Sequence, residues 1–285
     1  MSDFERRFGG VARLFGATGL GRLRSAHVMI VGIGGVGSWV AEALARSGVG
    51  ALTLVDLDDV CVSNVNRQLH ALNGSIGQPK VEVMADRIRA IHPECRVVAV
   101  PEFFTADTST RILIQFGTSG GTWVVDAIDT VTNKCRLIAD CRKGNFQLIT
   151  CGAAGGKSDP TQIRVADLAQ ATHDRLLSEV RRRLRGDFDF PRSSHRWGIP
   201  AVFSAEPPQL AQRDGTVCAA ETVPSEPGES RRLNCDHGFG SVAFLTGSFG
   251  FAAAAHVVRS LAIGEPEHLT LGAANSGGPL APTPR

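Results

Sequence analysis

The chain has 285 residues, of which 20% are charged and 43% hydrophobic. This is the composition of an ordinary globular protein and excludes disordered and collagen-like classes. Thirty Lys and Arg residues against 28 Asp and Glu residues leave a net charge of +2, so any nucleic-acid site is a local patch rather than an effect of bulk charge.

The cysteines and the N-terminus bear on the compartment. Seven cysteines, an odd number with none in C-x-x-C spacing, follow an N-terminus, MSDFERRFGG, that does not read as a secretory signal. A reduced, cytoplasmic compartment is expected, and no zinc site of paired cysteines is predicted. Residues 241–263 are long enough to span a membrane, but they are rich in Gly and Ala and carry His256 and Arg259. A buried core or dimer helix is favoured over a membrane anchor.

A β-α-β unit begins at His27, where an apolar run leads into a glycine cluster, a helical stretch and a second apolar run that ends in acids. Further apolar runs at 95–100, 122–129 and 146–152 alternate with helical stretches near 81–91 and 133–143. Five parallel strands thus fit into the first 152 residues. The sequence predicts an α/β fold with a Rossmann-like, doubly wound, mainly parallel sheet and a C-terminal α+β extension.

The glycine cluster Gly32-Ile33-Gly34-Gly35-Val36-Gly37 follows a strand and opens a helix, which is the setting of a phosphate-binding loop. Asp56, at the end of the second strand, is placed to accept hydrogen bonds from a ribose. A nucleotide site is therefore predicted. The glycines alone do not identify the nucleotide, and close helix-to-strand packing without a ligand is the alternative.

Polar residues beyond the second strand favour a triphosphate. Asn64, Arg67, Gln68 and Lys80 lie between the ribose acid and the next helix. Two cations there would offset the charge of phosphates in a transition state, whereas hydride transfer has no need of them. Solvated surface charges are the alternative interpretation.

Two acids end the apolar run at 122–129. A carboxylate in that position can hold Mg²⁺ against phosphates. We assign this role to Asp129, because Asp126 lies closer to the strand interior and reads as a structural acid.

The motifs GIGGVG, DLDDV, SNVNRQ, GQPK and DAID, in this order, resemble the superfamily of ubiquitin-activating-enzyme-like adenylating enzymes, which includes the bacterial thiamine and molybdopterin sulfur-carrier adenylyltransferases. The resemblance implies attack of a carboxylate on the α-phosphate of ATP, with Arg67, Lys80 and Asp129 as catalytic groups and Asp129 as the Mg²⁺ ligand. It implies ATP contacts for Gly32, Gly34, Gly35, Gly37, Asp56, Asp58, Asn64, Arg67, Gln68, Lys80 and Asp129.

Within this superfamily the chain is similar, over nearly its whole length, to the branch that dehydrates threonylcarbamoyladenosine beside the anticodon of tRNA. The similarity lies in ERRFGG, NRQLHAL, HPEC, GKSDPTQIRVADLA, DGTVC and GFGSVAFLTGSFGF. It implies a tRNA substrate, not DNA, whose threonyl carboxylate is adenylated and then closed on by its own carbamoyl group. The main alternative is activation of the C-terminal Gly-Gly of a sulfur-carrier or ubiquitin-like protein. A nicotinamide-dependent oxidoreductase and a non-catalytic nucleotide sensor are further alternatives.

The resemblance also implies a homodimer in which Arg13, or else Arg7, serves as an arginine finger. A sulfur-acceptor protein partner and a monovalent cation held by the glycine-rich loops are left open. On this basis we expect residues 1–152 to form the ATP-binding adenylation core with an N-terminal helical segment. Residues 153–268 would form a continuous substrate, tRNA-binding and dimerisation region, and 269–285 a flexible tail.

The second half carries a basic helical run at 175–185, followed by a stretch at 191–229 that reads as loop. Contact with tRNA phosphates is the expected use of the run, and a solvated helix face is the alternative. Trp197 fits a packing anchor better than a base-stacking residue. Cys218 and Cys235 are left outside the catalytic set, and the spacing of His195 and His237 identifies no partner for either. The members of the basic cluster are Arg175, Arg181, Arg182, Arg183, Arg185, Arg192 and Arg196.

Overall fold

A seven-stranded sheet forms the centre of the computed structural model, which describes residues 2–117, 122–192, 196–212, 214–219 and 239–264. The strand order is β3-β2-β1-β4-β5-β7-β6. All neighbours pair in parallel except β6, which runs antiparallel to β7. The strands are β1 (His27–Val31), β2 (Ala51–Val55), β3 (Arg96–Val100), β4 (Thr122–Asp126), β5 (Gln147–Cys151), β6 (Ile163–Asp167) and β7 (Pro200–Ser204), with a separate hairpin of β8 (Gln209–Ala211) and β9 (Val217–Ala219).

Helices cover both faces of the sheet. Val28 and Ile30 of β1 enter one core with α2, α3 and α7, whereas Met29 and Val31 enter a second core with α4, α5 and α6. Strands buried on both faces lack polar alternation, which is why they appear in the sequence as continuous apolar runs. The predicted doubly wound α/β fold is confirmed. The helices are α1 (Asp3–Ser25), α2 (Gly37–Arg46), α3 (Lys80–Ile91), α4 (Ser109–Phe116), α5 (Val131–Lys143), α6 (Arg175–Asp187) and α7 (Ala243–Ile263).

The interpretation of residues 191–229 as loop is wrong for part of this stretch. Residues 200–204 form β7, which is inserted between β5 and β6, and the β8–β9 hairpin follows. Proline is tolerated as the first residue of a strand, so Pro200 does not prevent pairing. The apolar stretch of β7 is short, begins at Pro200 and is followed by the pair Pro207-Pro208. It forms a strand because it is buried between β5 and β6.

The Gly- and Ala-rich segment forms α7 and packs within the core. A Cβ atom at Gly250 would lie 2.7 Å from Trp39 Cβ in α2 and 2.9 Å from the carbonyl oxygen of Val36, which precedes α2. The small residues therefore serve the close approach of α2 and α7. Among the helices of the described residues, none combines the length and apolar character needed to cross a membrane.

Candidate active site

The glycine loop connects β1 to α2 at the carboxyl edge of the sheet. Gly32 has φ +93°, and a Cβ there would lie 2.7 Å from the Ala127 carbonyl oxygen. A Cβ at Gly37 would lie 1.8 Å from the Gly32 carbonyl oxygen, so both positions require glycine for packing. At Gly34 the nearest atom is Gln68 Nε2 at 3.9 Å, which leaves this backbone open to a ligand.

Asp56 follows β2 and is buried beside this loop. One carboxylate oxygen accepts the Ile33 N–H at 2.6 Å and the other accepts the Asp58 N–H at 2.9 Å. Burial raises the pKa of Asp56, although these hydrogen bonds and the Lys80 ammonium oppose the effect. Each oxygen keeps a second lone pair, so Asp56 can hold the loop and still accept from a ribose hydroxyl.

Backbone pairing brings Asp58 and Lys80 together although they are far apart in sequence. The Lys80 N–H donates to the Asp58 carbonyl at 3.0 Å, and the Val60 N–H donates to Gln78 at 2.9 Å. Lys80 is the first residue of α3, and its buried Nζ lies 2.7 Å from Asp58 Oδ2, which is half exposed. The ammonium is thus held by one partly solvated acid just beyond the carboxyl end of β2.

Arg67, Asn64 and Gln68 lie on the connection between β2 and α3. Arg67 Nη1 donates to the Ser63 carbonyl at 2.6 Å and to Asn66 Oδ1 at 3.0 Å, so the guanidinium folds back on its own turn. Asn64 is buried and accepts the Cys61 N–H at 3.0 Å, which shapes the turn. Gln68 Oε1 is buried and has no partner among the described residues.

Asp126, the last residue of β4, and Asp129 lie in opposite environments. Asp126 is fully buried, with Lys134 Nζ at 2.9 Å, and it accepts the Thr150 hydroxyl at 2.7 Å and the Ile128 N–H at 3.0 Å. Burial raises the pKa of Asp126, while Lys134 opposes the effect. Asp129 is exposed, three residues beyond the strand, and its carboxylate has no hydrogen bond or ion pair with the described part of the chain.

Sequence reasoning missed Lys134. This lysine is completely buried, and besides Asp126 it donates to the Ile128 carbonyl at 2.8 Å. A signal was present, because positions 134, 138 and 141 fall on one helical face, and the other two are the apolar Ile138 and Cys141. A lysine on such a face predicts a buried acid opposite it.

The donor set fits Mg²⁺ bound together with a nucleotide. Within the described residues, no three His, Cys, Asp or Glu side chains gather as a protein-only metal site would require. Magnesium in nucleotide sites is held by one or two carboxylates together with phosphates and water. The exposed, unengaged Asp129 meets that requirement, whereas Asp126 is fully buried with protein donors on both carboxylate oxygens.

Residues of the second half reach the same edge of the sheet. Lys157, in the connection after β5, is buried and donates to the carbonyls of His173, Ser204 and Glu206 at 3.1, 3.3 and 2.5 Å. Burial lowers the pKa of Lys157. Phe239 packs against this connection, where a Cβ at Gly156 would lie 2.5 Å from its ring. The Lys157 ammonium thus joins the connection after β5 to the segment at His173 and to the end of β7.

The structure does not bring Arg13 or Arg7 to the glycine loop. Helix α1 packs through Phe8 and Leu20 against Gly48, at the amino edge of the sheet. Arg7 lies 2.6 Å from Asp3 and donates to the Ile91 carbonyl at 3.3 Å. Arg13 is exposed near Gly16, where α1 is kinked. Neither arginine can serve the site of its own chain without rearrangement.

The basic run forms α6, but much of its charge is engaged locally. Arg182 and Arg183 pair with Glu179, and Arg181 donates to the Leu168 carbonyl. Trp197 is buried against Phe190 and beneath Arg185, so it is a packing anchor. Cys218 lies on β9. His195, Cys235, His237 and the predicted tail at 269–285 lie outside the described residues.

Comparisons with known proteins extend this picture. Residues 9–276 match the ThiF family. The tRNA threonylcarbamoyladenosine dehydratase of Escherichia coli is 48% identical over 259 residues, which cover 90% of this chain and 94% of the relative. A solved structure of the E. coli enzyme in complex with ATP superposes with a TM-score of 0.77 at 45% identity, covering 91% of this chain and 96% of that one.

The sulfur-carrier branch matches less of the chain. The molybdopterin-synthase adenylyltransferase of Salmonella typhimurium is 36% identical over 144 residues, which cover 50% of this chain and 55% of the relative. Similarity to the dehydratase thus covers most of the chain, whereas the adenylyltransferase match covers half of it. The chain belongs to the ThiF family and, within it, to the tRNA threonylcarbamoyladenosine dehydratases.

Proposed function

We propose that this chain uses ATP to dehydrate threonylcarbamoyladenosine in tRNA to a cyclic form. The observation that carries the proposal is the nearly full-length similarity to dehydratases, together with the gathering of the glycine loop, Asp56 and the Asp58–Lys80 pair at one edge of the sheet. Activation of a carrier protein's C-terminal Gly-Gly is less well supported, because the similarity to the molybdopterin-synthase adenylyltransferase covers only 50% of this chain.

The nucleotide would lie across the carboxyl ends of β1, β2 and β4. The open backbone at Gly34 and the uncapped first turn of α2 offer N–H groups and a partial positive charge to the phosphates. Asp56 would accept from the ribose. Lys80 and Arg67 would offset phosphate charge, for which Arg67 has to leave its resting contacts with Ser63 and Asn66. Asn64 acts by shaping that turn, and Gln68 would complete the pocket beside Gly34.

Asp129 would hold Mg²⁺, which supplies positive charge to the phosphates when it is bound. The contribution of the chain itself is to hold this carboxylate just beyond the end of β4. The buried Lys134 does so by binding both Asp126 and the Ile128 carbonyl, which fixes the start of the segment leading to Asp129.

The chemistry has two steps. The threonyl carboxylate attacks the α-phosphorus of ATP, and pyrophosphate leaves with the electrons of the broken P–O bond. The carbamoyl group then attacks the acyl carbon, loses a proton, and AMP leaves with the oxygen that counts as the lost water. Ring closure needs no protein nucleophile, because the attacking group belongs to the same side chain.

Several further features belong to the proposal. A homodimer is supported by α7, which leaves Phe244 and Phe251 about half exposed beside the core. In such a dimer Arg13 would act on the partner's site, since the site of its own chain lies at the opposite edge of the sheet.

We also propose a cytoplasmic location and a substrate region beginning near residue 153, with α6 contributing to tRNA contact. A sulfur-acceptor partner and a monovalent cation stay predictions.

The test is incubation of the purified protein with ATP, Mg²⁺ and tRNA carrying threonylcarbamoyladenosine, followed by nucleoside mass spectrometry under mild conditions. We expect ATP-dependent loss of one water and formation of AMP. Lys80→Met should abolish turnover because the ammonium is lost while the stem still fills its site. Arg89→Ala, on the exposed face of the same helix, should leave turnover unchanged.

Two outcomes contradict the proposal. If AMP forms only when a Gly-Gly-ended carrier protein is added, the chain acts in the sulfur-carrier branch. If Lys80→Met and Arg89→Ala are equally active, the assignment of Lys80 is wrong.

A further inference from the structure

The main-chain carbonyl of Arg67 accepts hydrogen bonds from two different helices. Trp39 Nε1 of α2 donates to it at 3.2 Å, and Thr246 Oγ1 of α7 donates at 3.0 Å. A carbonyl with both lone pairs engaged by side chains is fixed in position. Helices from the two halves of the chain therefore hold the backbone of one residue.

The Arg67 side chain and Thr246 both lie close to Gly35 of the glycine loop. A Cβ at Gly35 would lie 3.1 Å from Thr246 Cγ2 and 3.6 Å from Arg67 Cγ. The glycine loop, the stem of Arg67 and the first turn of α7 thus meet at Gly35. A second link lies next to it, because Asn66 Nδ2 donates to the Ser241 carbonyl at 2.8 Å.

Thr246 is almost completely buried, with 3% of its surface exposed. Its hydroxyl has one proton and could also donate to the carbonyls of Ala243 at 3.2 Å or Val242 at 3.4 Å within its own helix. The contact with Arg67 is the shortest of the three. The Trp39 indole can only donate a hydrogen bond, so the Arg67 carbonyl is the acceptor in both contacts.

Two glycines of α7 make this arrangement possible. A Cβ at Gly250 would lie 2.7 Å from Trp39 Cβ, and one at Gly247 would lie 3.5 Å from the indole ring. The indole is thereby held between α2 and α7 with its N–H on Arg67. Gly247 and Gly250, within the motif GFGSVAFLTGSFGF, thus help to position the Trp39 indole in addition to packing α7 against α2.

We infer that Thr246, together with Trp39, is a positioning residue that holds Arg67 against the glycine loop for contact with the phosphates of ATP. The inference deepens the proposed function and rests on the role given there to Arg67. It gives the second half of the chain a part in ATP binding that acts through Arg67. Thr246 acts on the placement of a cation and takes no part in bond making.

The test compares Thr246→Val, which removes the hydroxyl at nearly constant volume, with Thr246→Ser, which keeps it. ATP binding is measured by calorimetry on the full chain with Mg²⁺. We expect Thr246→Val to weaken ATP binding about threefold to tenfold, the effect of one hydrogen bond between neutral groups. Thr246→Ser should bind as the wild type does, and the thermal midpoint without ATP should be similar for all three.

A double-mutant cycle separates positioning from general damage to the fold. If Thr246 acts through Arg67, then Thr246→Val should weaken ATP binding in the wild-type background and add little in the Arg67→Ala background. Equal losses in the two backgrounds would overturn the inference, as would unchanged ATP binding in Thr246→Val. The same cycle with Trp39→Phe gives an independent answer if Thr246→Val folds poorly.

These outcomes are distinct from failure of the proposed function. If wild-type protein binds ATP but does not dehydrate the tRNA nucleoside, the proposed reaction is wrong and the binding cycle still tests the positioning of Arg67. If dehydration occurs and the cycle shows no coupling, only the role of Thr246 is wrong.

Discussion

Two aspartates three residues apart illustrate how environment divides roles between identical side chains. Asp126 has protein donors on both oxygens and a lysine ammonium beside it, so it has little capacity for a ligand. Asp129 is exposed and unengaged within the described residues. We therefore propose that Asp126 stabilises the fold and that the chemistry is left to Asp129.

This division predicts opposite effects of the same substitution. Asp126→Asn leaves the Lys134 charge buried without its counterion, and we expect the free energy of unfolding to fall by about 3–5 kcal/mol. Asp129→Asn should change it by less than about 0.5 kcal/mol and lower turnover at least about 100-fold. Chemical denaturation and the dehydration assay measure the two effects. Loss of stability in Asp129→Asn, or normal stability in Asp126→Asn, would contradict the assignment.

The glycine loop is an element in which similar residues have different tasks. Gly32 makes the turn with a positive φ, and Gly37 lets α2 approach the loop. Gly34 has open space where a side chain would stand. Gly32 and Gly37 thus serve packing, whereas we propose that Gly34 faces the ligand.

We therefore expect Gly37→Ala and Gly34→Ala to separate folding from binding. The added methyl group of Gly37→Ala meets backbone at 1.8 Å, which should lower the free energy of unfolding by about 3 kcal/mol. Gly34→Ala should fold normally and weaken ATP binding about tenfold or more, because its methyl group enters the phosphate space. Thermal denaturation and calorimetry test this. Tight ATP binding by Gly34→Ala would mean that the phosphates lie elsewhere.

Folding of the whole molecule lowers the pKa of two buried histidines, so that both are neutral near pH 7. His27 at the start of β1 shares a 2.8 Å hydrogen bond with Thr53, and burial together with Arg96 lowers its pKa to about 4. His70 is buried, and burial together with the charges of Lys80 and Arg87 lowers its pKa to about 4. Both would titrate near 6.5 in the unfolded chain.

This difference predicts acid sensitivity in a defined window. Below pH 6.5 the unfolded chain binds protons that the folded chain excludes until about pH 4, so stability is full above 6.5 and falls as the pH drops. Each histidine contributes a slope of up to about 1.4 kcal/mol per pH unit. His27→Gln should remove one such contribution. Urea denaturation from pH 7.5 to 4 measures the slopes, and equal slopes for wild type and His27→Gln would refute this account.

The sequence alone determined the class of fold, the first five strands, the glycine loop and the family, because these depend on local patterns: apolar runs, glycine spacing and short motifs. Tertiary structure decided what depends on contacts between distant segments. It inserted β7 into the sheet, paired Asp58 with Lys80, buried Lys134 against Asp126, and placed Thr246 on the carbonyl of Arg67. Each of these contacts depends on how the chain folds back on itself, and only for Lys134, on an otherwise apolar helical face, does a local pattern indicate a buried partner.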